Sequence, residues 1–238
     1  MSVNFEEKIP SVDSTLPNKE GNRQVDLPSI LEDRLAAVAK QAFTGMREMN
    51  IPDEVSSRVM VLLNTNEISP NPNVNKRNGN IILEIPLLFL VRTGDHKKSA
   101  ELMTWIMGRF QNCKFTEKDV ANLQAFNQFI KDPINSEKAK KFVLYHELAH
   151  ILHDDFAKVN NAESRAREKR ADLTSADFSG EASGGIYLFN IVSPYFDKGK
   201  STTHPLFKER IEYLKAYMEN QEDQKLETSF SQLNIKDQ

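Results

Sequence analysis

The residues with the clearest capacity for chemistry form one short string, His146-Glu147-Leu148-Ala149-His150. If the string is helical, its two histidines lie on one face, with Cβ atoms about 5–6 Å apart. Both imidazoles can then reach one zinc ion at about 2.0–2.1 Å, and Glu147 lies beside the metal, where it can exchange a proton with water. The simpler alternative is a buried histidine pair that hydrogen-bonds to carbonyl or carboxylate oxygens.

A catalytic zinc site generally takes three protein ligands, so the string predicts a third donor elsewhere in the chain. Glu168 is the best candidate, because a carboxylate on the next predicted helix can approach the metal from the side. His153 lies a further turn along the first helix and points past the metal, which favours a supporting or surface position. Glu163 and Glu181 are lesser candidates for the third ligand.

Asp172 lies one helical turn after Glu168 and therefore on the same predicted face. Its carboxylate can accept the free ring N–H of His146, which would fix the tautomer and orientation of that ligand. The alternative is an ordinary solvated run of charges, because four basic residues surround these acids, namely Arg165, Arg167, Lys169 and Arg170.

Another histidine, His204, precedes a predicted helix that begins at Pro205. Thr203 can cap that helix, and a proline costs nothing at the first helical position, so His204 would be held at the mouth of the helix. It can either donate a hydrogen bond to the oxyanion of a reacting carbonyl or tie this helix to the core. In the second case, Arg210 would pair with an acid on the metal-binding helices.

The elements that must position these residues are mostly helical. The spacing of apolar residues predicts helices over 29–47, 136–155, 162–178, 183–192 and 205–219. Two apolar runs, 59–63 and 80–85, predict strands that are separated by an Asn- and Pro-rich loop. The sequence thus predicts an α+β fold, mostly helical with a small β-sheet.

The domain organisation follows from where this periodicity stops. Residues 1–27 and 221–238 predict tails on either side of one domain over 28–220, in which 92–133 form an inserted helical segment. If the second strand lies at the sheet edge beside the active helix, it can pair with an extended peptide through backbone hydrogen bonds. The strand residues proposed for this substrate contact are Asn80, Ile81, Ile82 and Leu83.

Composition disfavours several other classes of protein. The 238 residues include 31 Lys+Arg and 34 Asp+Glu, a formal net charge of −3 that disfavours nucleic-acid binding. The single cysteine excludes an intramolecular disulfide framework and CxxC sites. The longest apolar run is shorter than the roughly 20 residues of a membrane span, and the N-terminus lacks a secretory signal pattern. We therefore expect a soluble, cytoplasmic protein without integral membrane insertion, with export by a signal-less route left open.

Together these motifs resemble those of a known family. The HExxH string, the segment from Glu168 to Asp172, and Thr203-His204-Pro205 with Arg210 occur in the same order in the gluzincin metallopeptidases of the HtpX heat-shock protease and CAAX prenyl protease type, metallopeptidase family forty-eight. The resemblance covers about residues 55–90 and 135–215. This chain departs from the family in lacking membrane helices, in its short spacing between the HExxH string and the third ligand, and in its extra helical segment.

The resemblance implies a zincin-like metallopeptidase domain with one zinc ion (Zn²⁺) per chain, held by His146, His150 and Glu168. It further implies that Glu147 is the catalytic acid/base and that the substrate is a peptide or protein. The supporting residues that it implies are Asp172, His204 and Arg210.

Two other interpretations stay open at the level of the sequence. Soluble metallopeptidases of the ImmA/IrrE type, which cleave repressor partners, also have a HELxH helix followed by a nearby Glu on the next helix. The Thr203-His204-Pro205 element fits the first family better. The non-enzymatic alternative is a zinc-stabilised interaction domain that is closed to substrate.

Overall fold

The computed structural model of this chain describes residues 27–65, 69, 71–91, 103–108, 114–197 and 203–234. Over these residues the fold is α+β, mostly helical with a small mixed sheet, as the sequence predicts. In chain order the elements are α1 (Leu27–Glu48), α2 (Asp53–Ser56), β1 (Val59–Asn64), β2 (Asn73–Arg77), β3 (Asn80–Pro86), α3 (Leu87–Val91), α4 (103–108), α5 (Glu117–Phe129), α6 (Pro133–Leu152), α7 (Asn161–Ser179), α8 (Ala182–Phe196) and α9 (Phe207–Asn234).

The sheet has three strands within the described ranges, in the order β1-β3-β2. Strand β1 pairs with β3 in parallel, and β2 pairs with β3 antiparallel. The hairpin between β2 and β3 turns at Asn78 and Gly79, whose φ angles of 51° and 81° are typical of a two-residue hairpin turn. Alternate residues of β3, Ile81, Leu83 and Ile85, are buried and anchor the sheet on the core.

The position of β3 corrects a prediction from the sequence. The sequence predicts that this strand lies at the edge of the sheet, where four of its residues would contact a substrate: Asn80, Ile81, Ile82 and Leu83. In the structure these residues lie in the central strand. Strand β2, which the sequence predicts as loop, is an outer strand. Its Asn-rich sequence has little strand propensity, but Glu84 of β3 accepts hydrogen bonds from Asn73 and Asn75 and pairs with Arg77. These cross-strand contacts, rather than local propensity, give β2 its conformation.

Helix α6 carries the HExxH string and packs against α1, α7, α8 and β2. It begins at Pro133, three residues before its predicted start, because Asp132 accepts a hydrogen bond from the Asn135 backbone N–H and proline suits the first helical turn. Most of its second half is buried. Polar side chains on such a helix require partners, so the histidines of α6 must be hydrogen-bonded or bind a ligand.

Helix α7 carries the predicted third ligand. Asn160 caps its start by accepting a hydrogen bond from the Glu163 backbone N–H. Gly180 ends the helix in the left-handed region, with a φ of 69° that glycine adopts without strain. Helix α7 therefore has defined ends, and it packs along α6 so that their facing side chains meet.

Helix α8 approaches α6 closely because two glycines face that helix. A Cβ atom at Gly184 would lie 2.4 Å from the carbonyl carbon of Lys138, and one at Gly185 would lie 2.7 Å from the ring of Phe142. Side chains at these positions would push the helices apart. The close contact fixes the distance between α8 and the HExxH helix.

The C-terminal end of the predicted domain does not coincide with the end of a helix. Helix α9 continues to Asn234 through most of the predicted C-terminal tail, where helix formers such as Glu, Gln and Lys are frequent. The predicted N-terminal tail lies outside the described residues, apart from Leu27 at the start of α1. The described part of 92–133 contributes Ile106, Phe126 and Phe129 to the core.

None of the described helices is long and apolar enough to span a bilayer.

Candidate metal centre

Helices α6 and α7 bring three candidate metal ligands together. The Nε2 atoms of His146 and His150 are 3.2 Å apart. The Glu168 carboxylate faces both rings, with Oε2 3.5 Å from Nε2 of His146 and Oε1 3.5 Å from Nε2 of His150. Ligand atoms at about 2.0–2.1 Å from a tetrahedral zinc ion lie about 3.3 Å from one another. This group could therefore hold a metal ion, and its donor set of two imidazoles and one carboxylate suits zinc.

The charges around His146 favour a cation at its Nε2 atom. Its Nδ1 atom lies 2.8 Å from Oδ1 of Asp172, the partner predicted from helical spacing. Burial alone would lower the pKa of His146, but Asp172 and Glu168 raise it to about 10. Burial alone would raise the pKa of Glu168, but His146 and Arg210 lower it to about 2. The site thus keeps its carboxylates ionised and stabilises a positive charge between them, either a proton or a metal ion.

Asp172 is buried and is held by two residues of α9. Arg210 donates to it from Nε at 2.7 Å and from Nη2 at 2.6 Å, and the Tyr213 hydroxyl donates a further hydrogen bond. The guanidinium of Arg210 also packs against the ring of Phe189, 4.1 Å from its centroid. Arg210 therefore pairs with an acid on α7, the helix that carries the candidate ligand Glu168. Tyr213 is not among the residues predicted from the sequence, although its spacing of three residues from Arg210 places both on one helical face.

His150 has a carboxylate partner of its own, which is not among the residues predicted from the sequence. Its Nδ1 atom lies 3.1 Å from Oδ2 of Asp155, whose side chain is only 4% exposed. Arg170 pairs with this carboxylate, and Nε of Arg167 lies 3.6 Å from it. These two arginines thus do more than form a solvated run. Helical spacing does not reveal Asp155, because it lies beyond the end of α6, where Asp154 adopts a φ of 48° and turns the chain back.

Glu147 lines the cavity in front of the ligand group. Burial raises its pKa to about 7, against the lowering effects of the charge on His146 and of a hydrogen bond from the Val74 backbone N–H. A carboxylate with a pKa near neutrality can accept and return a proton at physiological pH. The predicted acid/base residue therefore lies beside the predicted ligands without being one of the three donors.

His204 lies at the rim of the site. Its Nε2 atom is 3.5 Å from Oε1 of Glu168, its Nδ1 atom is 2.9 Å from the Thr203 hydroxyl, and its side chain is 56% exposed. The predicted capping role of Thr203 is wrong, because α9 begins at Phe207 and the carboxylate of Asp197 accepts the backbone N–H groups at its start. His204 is thus brought to the ligand group from a turn before α9.

The lesser candidates lie outside the ligand group. His153 faces the Thr174 hydroxyl, 3.1 Å from its Nε2 atom. Glu163 pairs with Arg167 at 2.8 Å, and Glu181 stands at the N-terminus of α8. The sequence proposes three acids as the third ligand, and all three lie in the described residues. Of these acids, only Glu168 lies within ligand distance of both histidines.

The ligand group lies in the wall of an open cavity of about 650 Å³. Its lining includes the three donors with Glu147 and His204, and it also includes apolar side chains of α6 and α8. Strand β2 contributes Asn73 and Val74. The β3 residues predicted to contact substrate do not line the cavity: Asn80, Ile81, Ile82 and Leu83.

Comparison with known proteins identifies no relative of this chain. No protein-family model matches it, and no curated protein or solved structure shows significant similarity to it. The resemblance of the motifs to metallopeptidase family forty-eight therefore stays a prediction from the sequence, and the functional argument depends on the site geometry.

Proposed function

We propose that this protein is a zinc metalloendopeptidase. The observation that carries the proposal is the convergence of two imidazoles and one carboxylate, at separations suited to one zinc ion, on an open cavity that also contains Glu147. A structural zinc site usually has four protein ligands, whereas a catalytic site has three and leaves one position for water or substrate. The three donors and the adjoining cavity favour the catalytic type.

Each nearby residue has a role in the proposed hydrolysis. A bound zinc ion would supply Lewis acidity for the attacking water and the scissile carbonyl. The Glu147 carboxylate accepts a proton from that water and transfers it to the nitrogen of the leaving amine. The imidazole of His204, at the rim, can donate a hydrogen bond to the oxygen of the reacting carbonyl. Arg210 pairs with Asp172 next to His146, and its Nη1 atom lies 4.0 Å from Oε2 of Glu168, so it positions both carboxylates.

Strand β2 is the element that best suits binding of an extended peptide. It lies between β3 and α6, and its residues Asn73 and Val74 line the cavity. Backbone groups of an outer strand can pair with a substrate segment, whereas both sides of β3 are already paired. We therefore propose β2, and not β3, as the strand that contacts the substrate.

Metal analysis combined with a cleavage assay tests the proposed function. The purified chain should contain one zinc per molecule and should generate new peptide N-termini from an unfolded protein mixture, detected by mass spectrometry. A chelator should abolish cleavage, and added zinc should restore it. A chain that binds one zinc but cleaves no peptide bond would contradict the peptidase and support a zinc-stabilised interaction domain.

A further inference from the structure

Strand β2 is tied to the end of α6 by one lysine. The Nζ atom of Lys76 lies 3.2 Å from Oδ1 of Asp154 and 5.6 Å from the centroid of the Phe156 ring. Asp154 and Phe156 both belong to the turn that follows α6. The ammonium group therefore makes an ion pair and a cation–π contact with one short segment of the chain.

This turn is fixed to the end of α6 that carries the candidate metal ligands. The backbone N–H of Asp155 donates to the His150 carbonyl at 3.0 Å, and that of Asp154 donates to the Ile151 carbonyl at 3.2 Å. The ring of Phe156 packs on the core and lines the cavity. A side chain that contacts this turn is therefore attached to the wall of the candidate site.

Lys76 is also close to the part of β2 that lines the cavity. It follows Val74 by two residues, so the two side chains project from the same face of the strand. Val74 lines the cavity. The alternate residues Asn75 and Arg77 contact Glu84 of β3 instead. The contacts of Lys76 with the turn therefore determine how β2 lies over α6.

We propose that Lys76 is a positioning residue for peptide binding, because its contacts with Asp154 and Phe156 hold β2 where a substrate segment paired with it passes the metal-ligand group. The proposal rests on the proposed function, because it takes β2 as the strand that pairs with the substrate. A strand that is already held in place does not have to be ordered when the peptide binds, which increases affinity. Loss of Lys76 should therefore raise KM and leave kcat nearly unchanged.

Binding of an unfolded chain tests this role separately from catalysis. The probe is reduced, carbamidomethylated and fluorescently labelled lysozyme, and its affinity for the zinc-loaded Glu147→Gln variant is measured by fluorescence anisotropy. In this background, Lys76→Ala should weaken binding about 3- to 10-fold, because it removes the ion pair and the cation–π contact. Lys76→Arg can form both contacts and should bind the probe nearly as tightly as the parent. Thermal unfolding of each variant ensures that the dissociation constants are those of folded protein.

Arg77→Ala is the matched control for the loss of charge. It removes one positive charge from the next residue of β2, whose partner is Glu84 of the neighbouring strand rather than the turn after α6. It should leave the affinity for the probe nearly unchanged. Equal losses in Lys76→Ala and Arg77→Ala would overturn the proposal, because the contact with the turn would then have no specific effect.

A double variant tests whether Lys76 acts through the turn. Asp154→Asn removes the charge, and Asn tolerates the left-handed backbone at this position, where φ is 48°. Lys76→Ala combined with Asp154→Asn should bind the probe no more weakly than Lys76→Ala alone, because the ion pair is already lost. If the two losses multiply, Lys76 does not act through Asp154 and the proposal is overturned.

Cleavage of the same probe by chains with Glu147 intact separates this proposal from the proposed function. A KM that is about 3- to 10-fold higher in Lys76→Ala, with kcat nearly unchanged, supports both. Equal KM values in Lys76→Ala and the wild type would retain the peptidase and overturn the role of Lys76. Probe binding that depends on Lys76, with no cleavage by any chain, would contradict the peptidase and retain that role.

Discussion

At the residue scale, each of the two candidate histidine ligands has its own carboxylate partner. Asp172 lies 2.8 Å from Nδ1 of His146, and Asp155 lies 3.1 Å from Nδ1 of His150, so both rings present Nε2 to the common centre. Each carboxylate is itself paired with arginine, Asp172 with one from α9 and Asp155 with one from α7. Such outer partners fix the ring orientation that a metal ion requires.

The partner of His150 leads to the first prediction. Asp155→Ala should lower zinc affinity about 10- to 100-fold, because the ring loses the carboxylate that orients it and increases its basicity. Zinc affinity would be measured by competition with a chromophoric chelator. Asp154→Asn is the matched control, because Asp154 is 76% exposed and Asn also tolerates its left-handed backbone. Unchanged zinc affinity in Asp155→Ala would show that this carboxylate does not support the ligand.

The residues that could be predicted from sequence share a helix with another member of the site. The spacing of His146 and His150, and that of Glu168 and Asp172, places each pair on one face once the helices are recognised. Asp155 could not be found in this way, because a turn determines its direction. His204 was recognised by its motif, but the contact that places the start of α9 comes from Asp197, at the end of the preceding helix.

At the element scale, the order of the strands determines which substitutions the sheet tolerates. Ile82→Pro lies in the central strand and removes a backbone donor from a strand paired on both sides, so a buried carbonyl loses its partner and the fold should be destabilised by about 1–3 kcal/mol. Val74→Pro lies in the outer strand β2 at a residue that lines the cavity, so it should lower activity more than stability. Thermal unfolding and cleavage rates of both variants check this. Equal melting temperatures would mean that β3 is not the central strand.

The strand order also shows what the sequence does not reveal about the elements. The hydrophobic run of β3 correctly predicts a strand with a buried face, but the burial of one face does not show whether the strand lies at an edge of the sheet. Strand β2 carries Asn73, Asn75 and Arg77, whose contacts with Glu84 form only when the hairpin closes. Local composition therefore predicts a loop where pairing across the hairpin produces a strand.

The contact between α6 and α8 gives a further prediction at this scale. Gly184→Ala introduces a Cβ atom 2.4 Å from the Lys138 carbonyl carbon, so the helices must separate and stability should fall by about 1–3 kcal/mol. Chemical denaturation would measure the loss. Gly108→Ala is the matched control, because its added Cβ atom meets nothing within 4 Å. Because Ala has a higher helix propensity than Gly, propensity alone should raise the stability of both variants. A Gly184→Ala variant that is as stable as Gly108→Ala would contradict the close packing of α6 and α8.

At the scale of the whole molecule, a zinc ion would connect α6 and α7 and so stabilise the entire fold. At a free zinc concentration about 1,000 times the dissociation constant, binding adds about 4 kcal/mol to the free energy of unfolding. For a chain of this size, that corresponds to a melting temperature roughly 8–16 °C higher. Calorimetry with and without a chelator measures the shift. Glu147→Gln should show the full shift and His146→Ala should show none, whereas a shift of equal size in His146→Ala would place the metal elsewhere.

The rate of peptide-bond hydrolysis by Glu147→Gln, compared with the wild type at equal zinc content, tests the central claim most directly. An amide cannot accept the proton of the attacking water, so we predict one zinc per chain in both proteins and a rate about 10²- to 10⁴-fold lower in the variant. A variant that retains zinc and cleaves at the wild-type rate would contradict the assignment of Glu147 as general base and, with it, the proposed peptidase mechanism.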